Sequence, residues 1–168
     1  MRQVAYIVLG VVFLANLIQP MTEMAETCRQ KIVISAALNN SFRAARDRSL
    51  TEESLQDLAA EVDVDLFYQY FAEAFCDSLD LQVINKGIGE SGYIEFESGD
   101  DSYNTIRVEI DIEDGSYEYE DRDTTRVNLH LETDYKFKIG ALQLLNDANK
   151  YNSYTLEFDR TYLLLVKN

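Results

Sequence analysis

From Val4 to Ile18 the chain reads VAYIVLGVVFLANLI, an apolar run with no charged residue and one strongly polar member, Asn16. At about 1.5 Å of rise per residue the run is short for a hydrocarbon core of about 30 Å, and helical continuation through residues 19–25 supplies the rest. The pattern therefore predicts a membrane anchor over residues 1–25, with Val4, Ile7, Val8, Val11, Phe13, Leu14, Leu17 and Ile18 facing lipid. Pro20 removes one backbone donor and crowds the carbonyl of residue 16, so a kink is expected there. The rival reading is a cleaved signal sequence, since Arg2 supplies a minimal basic start. The following QPMTEMAETC has no clean small-x-small cleavage site, which favours an anchor that stays attached.

Beyond the run, Met21, Met24/Ala25, Cys28, Ile32, Ser35/Ala36, Asn39 and Phe42 recur at helical spacing, with Glu23, Glu26, Arg29, Gln30, Arg43 and Arg46 largely between them. This predicts a stalk helix over 26–47 whose apolar stripe covers the sheet of its own domain. A second helical block is expected over 51–80. Thr51, Glu52 and Glu53 favour a first helix start, and Asp63 or Asp65 a second. In the second helix Leu66/Phe67, Tyr70/Phe71, Ala74/Phe75 and Leu79 form one core stripe.

After Gln82 the period changes to two, the repeat of a strand. Ile94 and Phe96, then Ile106, Val108, Ile110 and Ile112, alternate with polar residues. Asp114–Gly115 is a hairpin-turn signal, and Tyr117 and Tyr119 alternating with Glu118 and Glu120 would extend that hairpin as a partner surface. Val127, Leu129, Leu131, Tyr135, Phe137 and Ile139 then share a face, broken by Thr133. A helical insertion is expected near 141–148, followed by a strand with Tyr154, Leu156, Phe158, Tyr162, Leu164 and Val166 on one side and Arg160 as the exception. Four or five antiparallel strands over 92–168, apolar on one face, need the helices as cover. The class is α+β: an anchor helix, a kinked stalk, short helices, then an antiparallel meander packed on them.

Charge divides the chain in two. Residues 1–50 carry a balance of +3 and residues 51–168 one of −18, within a total of −15. A domain this acidic repels phosphate backbones, so nucleic acid is excluded as its partner. The chemistry of catalysis is sparse. His130, the single histidine, falls on a polar strand face beside Asn128 and Glu132, and no phosphate loop, nucleophile elbow or metalloprotease signature is present. The sequence gives no catalytic residue, no cofactor and no small-molecule substrate. Asp111, Glu113 and Asp114 form a weak Ca²⁺ candidate, but the glycine and the bidentate acid of an EF-hand loop fall out of place around them. Cys28 and Cys76 suit buried free thiols, or a disulfide if the domain faces an oxidising compartment.

The opening VAYIVLGVVFLANLIQP, the stalk CRQKIVISAALNNSFRAAR and the closing VNLHLETDYKFKI and YTLEFDRTYLLLVKN together resemble the TadE-like pseudopilins of tight-adherence (Flp-type) pilus systems. That resemblance implies a pilin-like domain (26–168) outside a bacterial cell membrane on a single spanning helix. It also implies a non-catalytic role as a pilus or secretion-apparatus component whose partners are lipid and other membrane proteins of the apparatus. No prepilin-type leader or early Glu precedes the apolar run, which points to an accessory role rather than a processed, polymerising pilin. The alternative is an extracytoplasmic sensory or ligand-binding module.

Overall fold

The computed structural model describes residues 2–50, 62–100, 102–119, 122–135 and 154–164; the side chains at 2, 15–17, 19, 114–119 and 122–124 lie outside that description. The expected helix start at Thr51, the strand positions Phe137, Ile139 and Val166, and the helical insertion near 141–148 all fall outside it.

Helix α1 spans Arg2–Ser49, 48 residues in one element with Pro20 inside it, so anchor and stalk are continuous. At 1.5 Å per residue it is about 72 Å long. Thr22, two residues past Pro20, folds its hydroxyl back onto the carbonyl of Ile18 at 2.7 Å, a bond that competes with regular helix geometry close to the proline. At its far end α1 is tied to the next helix by a bond from the Asp63 amide to the Ser49 carbonyl at 3.0 Å and by a bridge between Leu50 and Val62.

Helix α2 spans Val64–Leu79. Of the two candidate caps it is Asp63 that serves, its carboxylate accepting from the Leu66 amide at 3.0 Å and satisfying one of the first-turn donors. The helix ends at Asp80, whose φ of 54° is left-handed, a conformation Asp tolerates better than most side chains. The chain enters the sheet at the next residue. Strand β1 is Leu81–Gly87, so the sheet begins at 81 and not at 92. LQVINKG hides this strand from sequence reading because it is an edge: apart from Leu81 and the half-covered Gly87 its side chains are exposed, and no face is selected for apolarity.

β2 (Ser91–Ser98), β3 (Ile106–Tyr119), β4 (Arg122–Asp134) and β5 (Thr155–Leu164) complete a five-stranded antiparallel meander in the order β1-β2-β3-β4-β5. One correction concerns its central hairpin. β3 runs on through Asp114–Gly115, and the chain reverses only between Tyr119 and Arg122, which pair with each other. Register shifts between Glu113 and Tyr117, so the Asp-Gly pair lies at an irregularity inside the strand rather than at its turn. A bulge uses the same backbone permissiveness as a tight turn, and the dipeptide alone does not tell them apart.

Both helices cover one face of this sheet. Ile94, Phe96, Ile106, Val108, Ile110, Ile112, Val127, Leu129 and Leu131 are buried beneath them. A chain of rings joins helices to strands: Phe42 lies 3.7 Å from Tyr162 in a stack and 6.0 Å edge-on from Phe67, and Phe75 lies 4.9 Å from Phe96. Tyr68, beside the predicted stripe, is also buried. Its hydroxyl donates to the Ile110 carbonyl at 3.0 Å, and burial pushes that phenol up to about 12. Gly92 makes room for it, since a Cβ there would stand 2.6 Å from the Tyr68 oxygen and 2.2 Å from the Gly87 carbonyl. Arg160, the exception on β5, reaches across to Ser35 of α1 at 3.3 Å, a polar contact at the margin of the core.

Candidate functional site

The stalk half of α1 packs on the sheet through a face other than the one expected. The predicted stripe is uncovered from Met21 to Ile32: Met21 and Met24 are 72% exposed, Ile32 is 70% exposed, and Cys28 and Ala25 are exposed as well. The residues placed between the stripe, Glu23 and Gln30, are instead 6% and 5% exposed. They share a buried face with Ile34, Ala37, Leu38, Ser41 and Ala45. The two descriptions agree only near Phe42.

What draws a carboxylate under the domain is a partner. Tyr135, at the end of β4, donates its hydroxyl to Glu23 Oε2 at 2.7 Å across 112 positions of sequence. A bond to a charged acceptor offsets much of the cost of burying it. Burial, and then the carboxylate it donates to, raise the Tyr135 phenol to about 12. The same corner is closed by a bond from the Tyr135 amide to the Tyr154 carbonyl at 2.8 Å and by the Lys31 ammonium 5.5 Å over the Tyr154 ring. The domain therefore grips α1 from Glu23 onward.

On the N-terminal side of that grip the helix is bare. Val4, Ile7, Val8, Val11, Phe13, Leu14 and Ile18, seven of the eight expected anchor positions, are exposed, and the eighth, Leu17, is outside the described side chains. Single exposed apolar residues need no explanation, but a contiguous apolar surface of this extent does. Among the described residues no helix is long and apolar enough to cross a membrane; the run Val4–Ile18 passes through 15–17, whose side chains are not among them.

The second surface is the uncovered face of the sheet, a polar lattice. The Arg107 guanidinium lies 4.5 Å over the Tyr93 ring and contacts Glu95 at 3.1 Å and Glu109 at 3.0 Å. His130, on this face as expected, places Nδ1 2.7 Å from Asp159 Oδ1, and the Asp159 carboxylate raises the imidazole above its ordinary value. Thr161 donates to Asn128 at 2.9 Å, and Ser91 donates to Asp111. All of these residues but Glu95 border a shallow depression of about 650 Å³. It has both donors and acceptors, so it could receive a polar molecule, but Arg107 is already engaged by Glu95 and Glu109, and His130 by Asp159.

The remaining candidates are not brought together. Of the Ca²⁺ candidates, Asp111 accepts from Ser91 and Glu113 lies 3.6 Å from Arg126, while the Asp114 side chain is outside the described set. Among the described residues no group of three or more His, Cys, Asp or Glu could hold a metal ion. Cys28 and Cys76 are both free, and no disulfide joins them: Cys28 is exposed on α1, and Cys76 is half-buried on α2, its thiol pushed up chiefly by burial. The side chains of Tyr117, Glu118 and Tyr119 lie outside the described set, as does Glu120 altogether.

No protein-family model, no curated protein and no solved structure matches the chain.

Proposed function

We propose that this protein is a non-catalytic, membrane-anchored component of a bacterial pilus or secretion apparatus, pseudopilin-like in plan, which acts through helix packing and assembly contacts. The observation that carries this reading is the bare half of α1: the described large apolar side chains from Val4 to Ile18 are exposed on a helix that continues beyond the domain. Such a surface is stable only where something apolar covers it. On this reading the anchor ends at Thr22, three residues before the boundary the sequence suggests, because Glu23 is already bonded to Tyr135 of the domain. Residues 4–22 rise about 28 Å as a helix, close to a hydrocarbon core of about 30 Å. The acidic domain then stands at the membrane surface on the extracytoplasmic side.

Washing membranes of cells that make the full chain with alkaline carbonate tests the anchor. The chain is expected to stay with the pellet, and a variant carrying Val8→Arg and Phe13→Arg to appear in the supernatant, because charge in mid-membrane costs about 3 kcal/mol per residue on insertion scales. Recovery of the unaltered chain in the supernatant rejects the anchor. Assembly is read from mild detergent, where other single-helix membrane proteins should accompany the chain.

The open sheet face favours a second reading, an extracytoplasmic module that binds a polar ligand in the depression beside His130 and Arg107. A small-molecule thermal-shift screen separates the two, since a ligand of the native state raises the melting temperature with concentration.

A further inference from the structure

A cleft of about 350 Å³ is walled by α1, the C-terminal end of α2 and the link between β2 and β3. Its charge runs against local rules. A helix C-terminus carries a partial negative charge that basic residues ordinarily answer. Here the last turn of α2 holds Asp77 and no basic residue, and Asp80 follows as the left-handed cap. Asp100 adds a third carboxylate from the sheet side. It accepts from the Ser102 hydroxyl at 2.6 Å, the Ser98 hydroxyl at 2.6 Å and the Ser102 amide at 3.0 Å, and these bonds hold its carboxyl down to about 2. Among the described residues none of the three aspartates makes an ion pair. Arg29, a basic residue in the wall, is taken by Glu26 through bonds of 2.8 and 3.0 Å.

Exposed carboxylates are ordinary, but Gln30 at the base of the same cleft is not. It is 5% exposed, yet its side-chain amide makes no hydrogen bond among the described residues. A buried amide without a partner is costly, and native folds leave few. The amide is not sealed away: the exposure it keeps is to this cleft, which it borders. The fold thus holds an unmet amide beneath a rim of unpaired carboxylates, with Asp77, Asp80 and Asp100 all exposed above it.

The negative rim selects a cation, and the buried amide oxygen selects one that donates hydrogen bonds, which is an ammonium. A bare metal ion does not fit, because among the described residues no three acidic side chains come together as a metal site. Carboxylates spread in this way suit an elongated cation whose charges are separated by methylenes, and Val33, Leu79 and the Tyr103 ring supply apolar surface for those stretches. We propose that this cleft binds a linear polyamine, one ammonium donating to the Gln30 amide oxygen and the others paired with Asp77, Asp80 and Asp100. The site belongs to the domain, so it stands or falls separately from the anchor.

Calorimetric titration of the full chain in a neutral detergent, with spermidine as the probe, tests this. Saturable binding at a single site is expected, with butylamine and Ca²⁺ at least about tenfold weaker at the same ionic strength, since each meets fewer of these groups. Asp77→Asn combined with Asp80→Asn should weaken spermidine by about tenfold or more, and Asn keeps the left-handed cap. Removing the same charge from the open sheet face, by Glu132→Gln with Glu157→Gln, should change the affinity by less than about twofold, because distant exposed charges are screened. Gln30→Met, similar in size, should weaken binding while the unliganded chain melts no lower, because the substitution takes away an amide that had no partner. No heat with spermidine, equal binding of Ca²⁺ or butylamine, or equal losses from the two carboxylate pairs each overturn the site. Spermidine affinity unaltered by Gln30→Met overturns it as well.

Discussion

The two halves of α1 are one helix in two different surroundings. From Glu23 to Ser49 it has a buried face, with Ile34, Leu38, Phe42 and Ala45 almost wholly covered, and an exposed one. From Val4 to Thr22 every side chain that can be described is exposed, although this half is the more apolar. The difference teaches that apolarity does not choose a face when every face is apolar. In the stalk the selection was made by aromatic and hydrogen-bonding partners on the sheet, Tyr162 and Tyr135, which took Phe42 and Glu23 and left Met21, Met24 and Ile32 outside.

The sharpest test pairs one truncation on each face of the stalk half. Phe42→Ala removes a ring packed on Phe67 and Tyr162 and should cost about 3–5 kcal/mol, whereas Ile32→Ala on the exposed face should cost less than about 0.5 kcal/mol; chemical denaturation of the full chain in detergent measures both. Comparable losses would mean the stalk face is wrongly placed.

A smaller effect is expected where helix and sheet meet without apolar packing. Gly92→Ala pushes a methyl against the Gly87 carbonyl and the Tyr68 hydroxyl, and overpacking of this kind costs about 1–3 kcal/mol. Tyr68→Phe in the Gly92→Ala background should recover part of it, because the clashing oxygen is gone.

Alkali probes the attachment of each helix to the sheet, through Tyr135 for α1 and Tyr68 for α2. The phenols of Tyr68 and Tyr135 are each raised to about 12, so the fold favours their neutral forms. Their contribution to stability is complete below the unfolded value of about 10 and is lost as pH rises from there through 12. Unfolding midpoints should fall over that window, and Tyr135→Phe should flatten the fall; a midpoint independent of pH there would show that the two phenols are not held neutral by the fold.

The smallest effect belongs to the open face. The exposed His130–Asp159 pair should contribute under about 1 kcal/mol, and the sign is fixed by the raised imidazole: the contribution is present below about 6.5 and disappears as pH rises through the folded value. Asp159→Asn should remove this dependence, as followed by the histidine ring resonances in NMR.

Much of the sheet was legible. Alternation placed Ile106, Val108 and Ile110 on the covered face and Arg107 and Glu109 on the open one, because a strand's period of two leaves no other assignment once one face is buried. The phenylalanine stripe of α2 was legible for the same reason, and the cap was narrowed to Asp63 or Asp65, of which the fold uses Asp63. β1 escaped because an edge strand with exposed side chains carries no alternation, and the Asp-Gly signal misplaced a turn because a bulge asks for the same residues. Of the two candidate surfaces, the apolar run of α1 was evident from residue order. The depression beside His130 was not, since it gathers Tyr93, Arg107 and Asp159 from three strands.

By itself the sequence determined the elements whose periodicity is local: a long helix, a shorter aromatic one, and strands with one apolar face. Tertiary structure alone decided which side of α1 the domain would hold, because the stalk offers two faces of mixed polarity. The choice between them depends on Tyr135 and Tyr162, residues more than a hundred positions away that only the folded sheet brings within a hydrogen bond.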